Sequence, residues 1–207
     1  MDLQLPPPTT TGSVTVEEAI ARRRSCRFFT EDQPLSFAQL SQILWAAQGI
    51  TGDNGERAAP SAGGQYPLYI LAATGAVAGT DQALHCYRPH SHSLTLVAAG
   101  DHRSAFEHAA LDHQPWIGQA ALVLAVVAEM PGIVENFRTQ PPRGERGRRY
   151  TQIETGAVAE NVHLQAAALG LGCVLVAGFD DAALSTALRL PEGHEPTTMM
   201  AIGPRRD

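Results

Sequence analysis

The sequence predicts one mixed α+β domain, and three observations predict it. Helix-opening signals stand at both ends of the chain, strand-like apolar runs fill its middle, and neither a linker nor a repeat divides it. The 207 residues suit a single core, and a hydrophobic fraction of 44% is that of a folded protein rather than a disordered one.

Residues 1–13, MDLQLPPPTTTGS, read as an extended N-terminal arm, because Pro6-Pro7-Pro8 favours polyproline II; it is either disordered or laid over a neighbouring subunit. It has no basic start and no apolar stretch, so it does not read as a secretion signal. The domain proper then spans 14–207. Thr15 and Glu18 form a capping box that opens a helix running through Arg24. Ser36 and Gln39 form a second box, and the helix behind it carries Leu40, Ile43, Leu44 and Ala47 on one face and stops at Gly49. GITGDNGERAAPSAGGQYP is a long turn-rich loop, a length that is often functional.

LYILAATG, ALHCYRP and SLTLVAAG follow as strands, and DHRSAFEHAAL as a helix capped by Asp101. AALVLAVVAE is almost wholly apolar, which predicts a strand covered on both faces. RTQPPRGERGRRY reads as a second irregular loop holding five arginines. The longest helix runs from about Tyr150 to Leu169 and ends at Gly170; its Ala and Gly content lets other backbone or a flat ligand approach closely. GCVLVAGF is another buried strand, Asp180 or Asp181 caps a last helix, and TTMMAIGPRR closes the chain as a strand.

Charge and motifs exclude several functions. A net charge of -6 argues against a general nucleic-acid binder, and apolar runs of about a dozen residues are too short to cross a membrane. Cys26, Cys86 and Cys173 are far apart with no CxxC, as expected of buried thiols in a reducing cytoplasm. GxSxG, GxxxxGK[ST], HExxH and a post-strand GxGxxG are all missing, so hydrolase, NTPase and Rossmann readings lose support. His90 and His92 read as solvated histidines of a hairpin tip, and no metal site is expected.

Against the acidic total, Arg22, Arg23, Arg24 and Arg27 crowd around Ser25-Cys26. If the first helix persists that far, Ile20, Arg23 and Arg27 share a side, with Arg24 beside them. A helix C-terminus attracts cations through its dipole, which is one explanation. The other is a phosphate site, where planar guanidinium forks bind bidentately. The APSAGG stretch favours the second, because Pro60 to Gly64 leave almost no side-chain bulk between backbone and a planar ring.

RRRSCRFF, APSAGGQYP, LHCYRPHSHSLTLVAAGD, ENVHLQAAALGLGCVLVAGFDD and AIGPRR, in this order, resemble the FMN-dependent nitroreductase superfamily, and most closely its SagB/thiazole-oxidase-like (McbC-like) dehydrogenase branch. The resemblance covers about Val14 to Arg206. It implies a three-layer α-β-α sandwich with a central, mainly antiparallel sheet, forming an intertwined homodimer with FMN at the subunit interface and the long helix in the dimer core. It also implies that Arg23, Arg24 and Ser25 hold the phosphate and ribityl chain. Arg27 would sit at the N1/O2 edge of the ring, where a fixed cation favours reduction. Pro60, Ser61, Ala62 and Gly63 would line the flavin of the partner subunit. Ala177 and Gly178 would follow the last buried strand so that the Gly178 N–H lies near N5, and Arg205 or Arg206 would complete the phosphate site.

The implied activity is NAD(P)H-dependent reduction of small nitroaromatic or quinone-type acceptors. A SagB-type dehydrogenation of a peptide or small metabolite with oxygen as acceptor is the alternative, and a non-catalytic partner subunit is a third reading of another class. Azoline-oxidising members carry a Lys-Tyr pair before a GERG-like segment; here Pro142-Arg143 stand there. The five arginines of that loop would attract an anionic substrate or the phosphates of a nicotinamide donor, or merely be solvated. Asn161 and Glu160, taken as buried, are expected to be a structural hydrogen-bond pair.

Overall fold

The computed structural model describes residues 2–30 and 33–206. Apolar residues on alternate sides of one antiparallel sheet create two cores, and helices cover both. The strands are β1 (Leu3–Gln4), β2 (Leu68–Thr74), β3 (Ala83–Arg88), β4 (Ser93–Ala99), β5 (Leu122–Glu129), β6 (Leu171–Val176) and β7 (His194–Pro204). Their order across the sheet is β1-β4-β3-β2-β5-β7-β6, with every pairing antiparallel, so β6 forms one edge.

The central strand shows why its sequence is almost wholly apolar. Leu122, Leu124, Val126 and Ala128 of β5 enter one core, while Val123, Ala125 and Val127 enter the other. A strand has a side-chain period of two, so covering both faces demands an unbroken apolar run. The first core packs beneath α2 (Phe37–Gln48), α5 (Met130–Asn136) and α6 (Arg146–Ala168) through Leu40, Ile43, Leu44, Ile133, Val158 and Val162. The second lies beneath α3 (Arg103–Ala109), α4 (Trp116–Gln119) and α7 (Asp181–Leu188) through Phe106, Ile117, Leu184 and Leu188. The result is the three-layer α-β-α sandwich expected from the resemblance.

Both capping boxes form as read, opening α1 (Val16–Arg22) and α2. The first helix is shorter than expected. Arg23 is its C-cap with ψ 124°, so the chain leaves the helix there and Arg27 shares no helical face with Arg23. The run into Ser25 is instead pulled into extended pairing: Ser25 bridges Cys173, and the Cys26 N–H bonds the Cys173 carbonyl at 2.9 Å.

Other departures follow from contacts between distant segments. The N-terminal arm lies on its own chain, with Leu3 and Gln4 paired to β4 and Leu5 buried. His92 is not a solvated turn residue. Its Nδ1 accepts from Tyr87 Oη at 2.8 Å and its Nε2 donates to the Pro6 carbonyl at 2.9 Å, so it fastens the arm to the hairpin. Asp101 does not cap α3, whose N-cap is His102; its carboxylate binds the Arg103 guanidinium and backbone N–H instead. The Arg-rich segment is only partly a loop, because α6 begins at Arg146.

Candidate functional site

Arg22, Arg23, Arg24 and Arg205 converge on one cavity of about 490 Å³, with no carboxylate in its wall among the described residues. It lies where α1 ends, where the turn after α6 passes Gly170 into the start of β6, and where β7 leaves the sheet. Gly172 makes the convergence possible. A Cβ there would stand 2.7 Å from Cys26 Sγ and 3.1 Å from Arg205 Cγ, so any side chain would push the Cys26 and Arg205 side chains back from the strand.

Each arginine is held differently. Arg22 pairs with Glu18 one turn earlier at 3.3 Å, both exposed. Arg24 folds its Nη1 back to the carbonyls of Ala21, at 3.0 Å, and Arg23, at 2.7 Å. Arg23 reaches across α6, where its Nη1 donates to His163 Nδ1 at 3.4 Å and its Nε stands 3.8 Å from Glu160 Oε1. Burial, with the Arg23 charge beside it, holds the His163 imidazole below the usual histidine range. Burial also pushes the Cys173 thiol well above the ordinary thiol range, so it is a neutral part of the wall.

The remaining site residues lie outside the lining of this cavity. Ser25 is joined to β6 through its bridge to Cys173, and the Arg206 N–H bonds the Phe28 carbonyl at 3.1 Å. The Arg27 guanidinium lies over the Trp116 ring, 5.8 Å from its centroid. Ala177 and Gly178 are exposed just beyond β6, with the Gly178 carbonyl taken by the Leu111 N–H at 2.9 Å.

The Pro60–Gly63 segment sits elsewhere along α6. Glu154 Oε1 accepts the Ala62 N–H at 2.8 Å, and Asn161 Nδ2 donates to the Ala58 carbonyl at 3.0 Å. Ser61 Oγ accepts the Tyr66 N–H at 2.8 Å, and Gly63 and Gly64 take φ of +60° and +63°, values that glycine adopts freely. Glu154 and His163 are nine residues apart, roughly 14 Å along a helix, so this segment and the arginine cavity are separate features of one subunit.

Sequence reasoning missed Glu154 and His163. Glu154 is the buried acid of α6, and burial raises its carboxyl above the usual range. Glu160 is exposed and faces Arg23, and Asn161 faces Ala58, so the expected Glu160–Asn161 pair does not form. Three of the five arginines of the second loop are already engaged: Arg138 with Glu135 at 2.7 Å, Arg146 with the Pro141 carbonyl, and Arg148 with Glu195 through two contacts of 2.7 and 2.8 Å.

Comparison with known proteins matches residues 20–204 to the Nitroreductase family. The nitroreductase homologue MJ1384 of Methanocaldococcus jannaschii is 35% identical over 98% of this chain and 96% of its own. A solved nitroreductase homologue of Ralstonia eutropha superposes with a TM-score of 0.82 at 31% identity, over 100% of this chain and 90% of that one. The Escherichia coli microcin synthetase McbBCD complex shares the fold with a TM-score of 0.76 at 21% identity, over 98% and 77% of the two chains. The NADPH:FMN oxidoreductase of Vibrio harveyi shares it with a TM-score of 0.65 at 21% identity, over 93% and 69%.

Proposed function

The chain belongs to the nitroreductase family and is an oxidoreductase, and we propose that it uses FMN to pass hydride from NAD(P)H to small electron-poor acceptors of nitroaromatic or quinone type. The observation that carries the cofactor is the cavity walled by Arg22, Arg23, Arg24 and Arg205 and, among the described residues, by no acid. An excess of guanidinium charge in a cavity of this size suits a phosphate, which several planar forks can bind at once.

Bound there, FMN supplies the hydride chemistry, and the protein supplies position and charge. Arg23, Arg24 and Arg205 neutralise the phosphate, and the Ser25 backbone, fixed against Cys173, sets the adjoining wall. Arg27 contributes positive charge on the side of the site toward Trp116. Gly178, exposed and without a side chain, leaves its backbone accessible at the far end of β6.

The proposed assembly is a homodimer. The edge strand β6 is paired at Cys173 by Ser25 and Cys26, the rest of its edge invites pairing or cover, and large apolar side chains are exposed: Phe28 at 72%, Leu175 of β6 at 39% and Ile153 of α6 at 64%. The separation of Pro60–Gly63 from the arginine cavity fits a segment that completes the site of a second subunit.

A SagB-type dehydrogenase is the second reading, favoured by the better superposition on the microcin synthetase complex than on the Vibrio enzyme. Anaerobic addition of NADH or NADPH to the flavin-loaded protein separates the two. Rapid loss of the yellow colour supports the reductase, and persistence of colour supports the dehydrogenase. The intact arginine cluster weighs against a non-catalytic subunit.

A further inference from the structure

His163 is an unusual residue to find on the buried face of a core helix. It is 7% exposed, it borders the arginine cavity, and its Nε2 has no hydrogen-bond partner among the described residues. Buried polar atoms are almost always paired, so an orphan calls for an explanation.

The explanation lies on the other side of the ring. Arginine is only ever a donor, so the Nδ1 facing Arg23 Nη1 at 3.4 Å is the acceptor and the proton must be on Nε2. The orphaned N–H is therefore the consequence of presenting a lone pair to Arg23. Glu160 lies on the same face of α6 one turn earlier and stands 3.8 Å from Arg23 Nε. The two residues grip the guanidinium from consecutive turns, Glu160 from the solvent side and His163 from the buried side. Among the described residues, the other charged groups bordering the cavity, Arg22, Arg24 and Arg205, are all cations and cannot accept from Arg23.

We propose that His163 is a positioning residue that, as the neutral Nε2–H imidazole, aims Arg23 at a phosphate bound in the cavity. This rests on the FMN reading given above, and it assigns to α6 a role in phosphate selectivity that the arginine cluster alone does not require. Leucine or phenylalanine would pack as well at a core-helix position but would leave Arg23 free to turn toward solvent.

The test compares FMN with riboflavin, which lacks the phosphate, by quenching of flavin fluorescence on titration into the apoprotein. In the wild type FMN binds more tightly than riboflavin. His163→Leu is expected to weaken FMN about tenfold, the scale of losing one charge-assisted hydrogen bond, and to leave riboflavin unchanged. His163→Asn, whose Oδ1 accepts near the position of Nδ1, is expected to restore most of the difference. Equal loss for both flavins, or no loss for either, overturns the positioning role. A wild type that binds neither flavin overturns the FMN reading itself, a distinct result. Should His163→Leu not fold, the ¹⁵N shifts of the wild-type imidazole decide: a bare Nδ1 at pH 7.5 upholds the assignment and a protonated Nδ1 overturns it.

Discussion

Glu154, buried on the inner face of α6, accepts the backbone N–H of Ala62 across 92 residues of sequence, at 2.8 Å. One carboxylate thereby ties the glycine-rich segment to the helix that also carries His163. The loop is held by this bond, by Ser61 on Tyr66 and by Asn161 on Ala58, rather than being a flexible connection.

Replacing Glu154 should separate its hydrogen bond from its charge. Glu154→Ala removes the acceptor of the half-buried Ala62 N–H and should cost about 1 kcal/mol of stability, measured by urea unfolding at pH 7.5. Glu154→Gln keeps an acceptor and should be no less stable than wild type at that pH. Burial raises the Glu154 pKa in the folded state, so the folded protein holds a proton that the unfolded chain releases. The contribution of Glu154 should therefore grow on acidification from above the folded pKa toward 4.5, the unfolded value, so the stability difference between wild type and Glu154→Gln should shift in favour of the wild type as pH falls through that window. Identical pH profiles for the two proteins would remove Glu154 from this account.

Below neutrality the histidines oppose this trend. Burial lowers the pKa of His85, His92 and His163 in the folded state, so between those values and 6.5 the unfolded chain binds more protons. Their contribution to stability is complete above 6.5 and is lost as pH falls through the folded values. Each can contribute at most about 1.4 kcal/mol per pH unit. Denaturant midpoints should fall between pH 7 and pH 5, and His85→Leu, at a buried position of β3 whose Nδ1 has no partner among the described residues, should flatten the fall.

The four cavity arginines should differ in their effect on flavin. Arg24→Ala and Arg205→Ala should weaken FMN by about tenfold or more while sparing riboflavin. Arg22→Ala should have a smaller effect, because the Arg22 charge is shared with Glu18. Equal effects from all the arginines would mean a diffuse field rather than a defined phosphate clasp.

How much of this was legible before the structure depends on how far apart the interacting residues lie. The starts of α1 and α2 were readable because a capping box is complete within four residues. The two-sided burial of β5 was readable because the period of a strand leaves no other reason for an unbroken apolar run. Residues of the arginine cluster were readable as a group, and Arg23, Arg24 and Arg205 do share a cavity.

What escaped was set by partners far away in sequence. The helix was expected to reach Arg24, but pairing of Ser25 and Cys26 with Cys173 ends it at Arg22. His92 looked like a turn residue until Pro6 and Tyr87 closed on it. Glu154 and His163 looked like ordinary helix positions, because their roles come from Ala62 and Arg23, which lie 92 and 140 residues away. A polar residue at a helix position that should face the core was the one available signal for both.

The central claim is an FMN-dependent reductase that takes hydride from NAD(P)H, and the visible spectrum of the purified protein under anaerobic conditions tests it most directly. After loading with FMN, the protein should show the yellow flavin band, lose it within seconds of adding NADH or NADPH, and regain it on addition of a quinone. A protein that cannot be loaded with FMN, or a loaded protein bleached by dithionite but by neither nicotinamide, would contradict it.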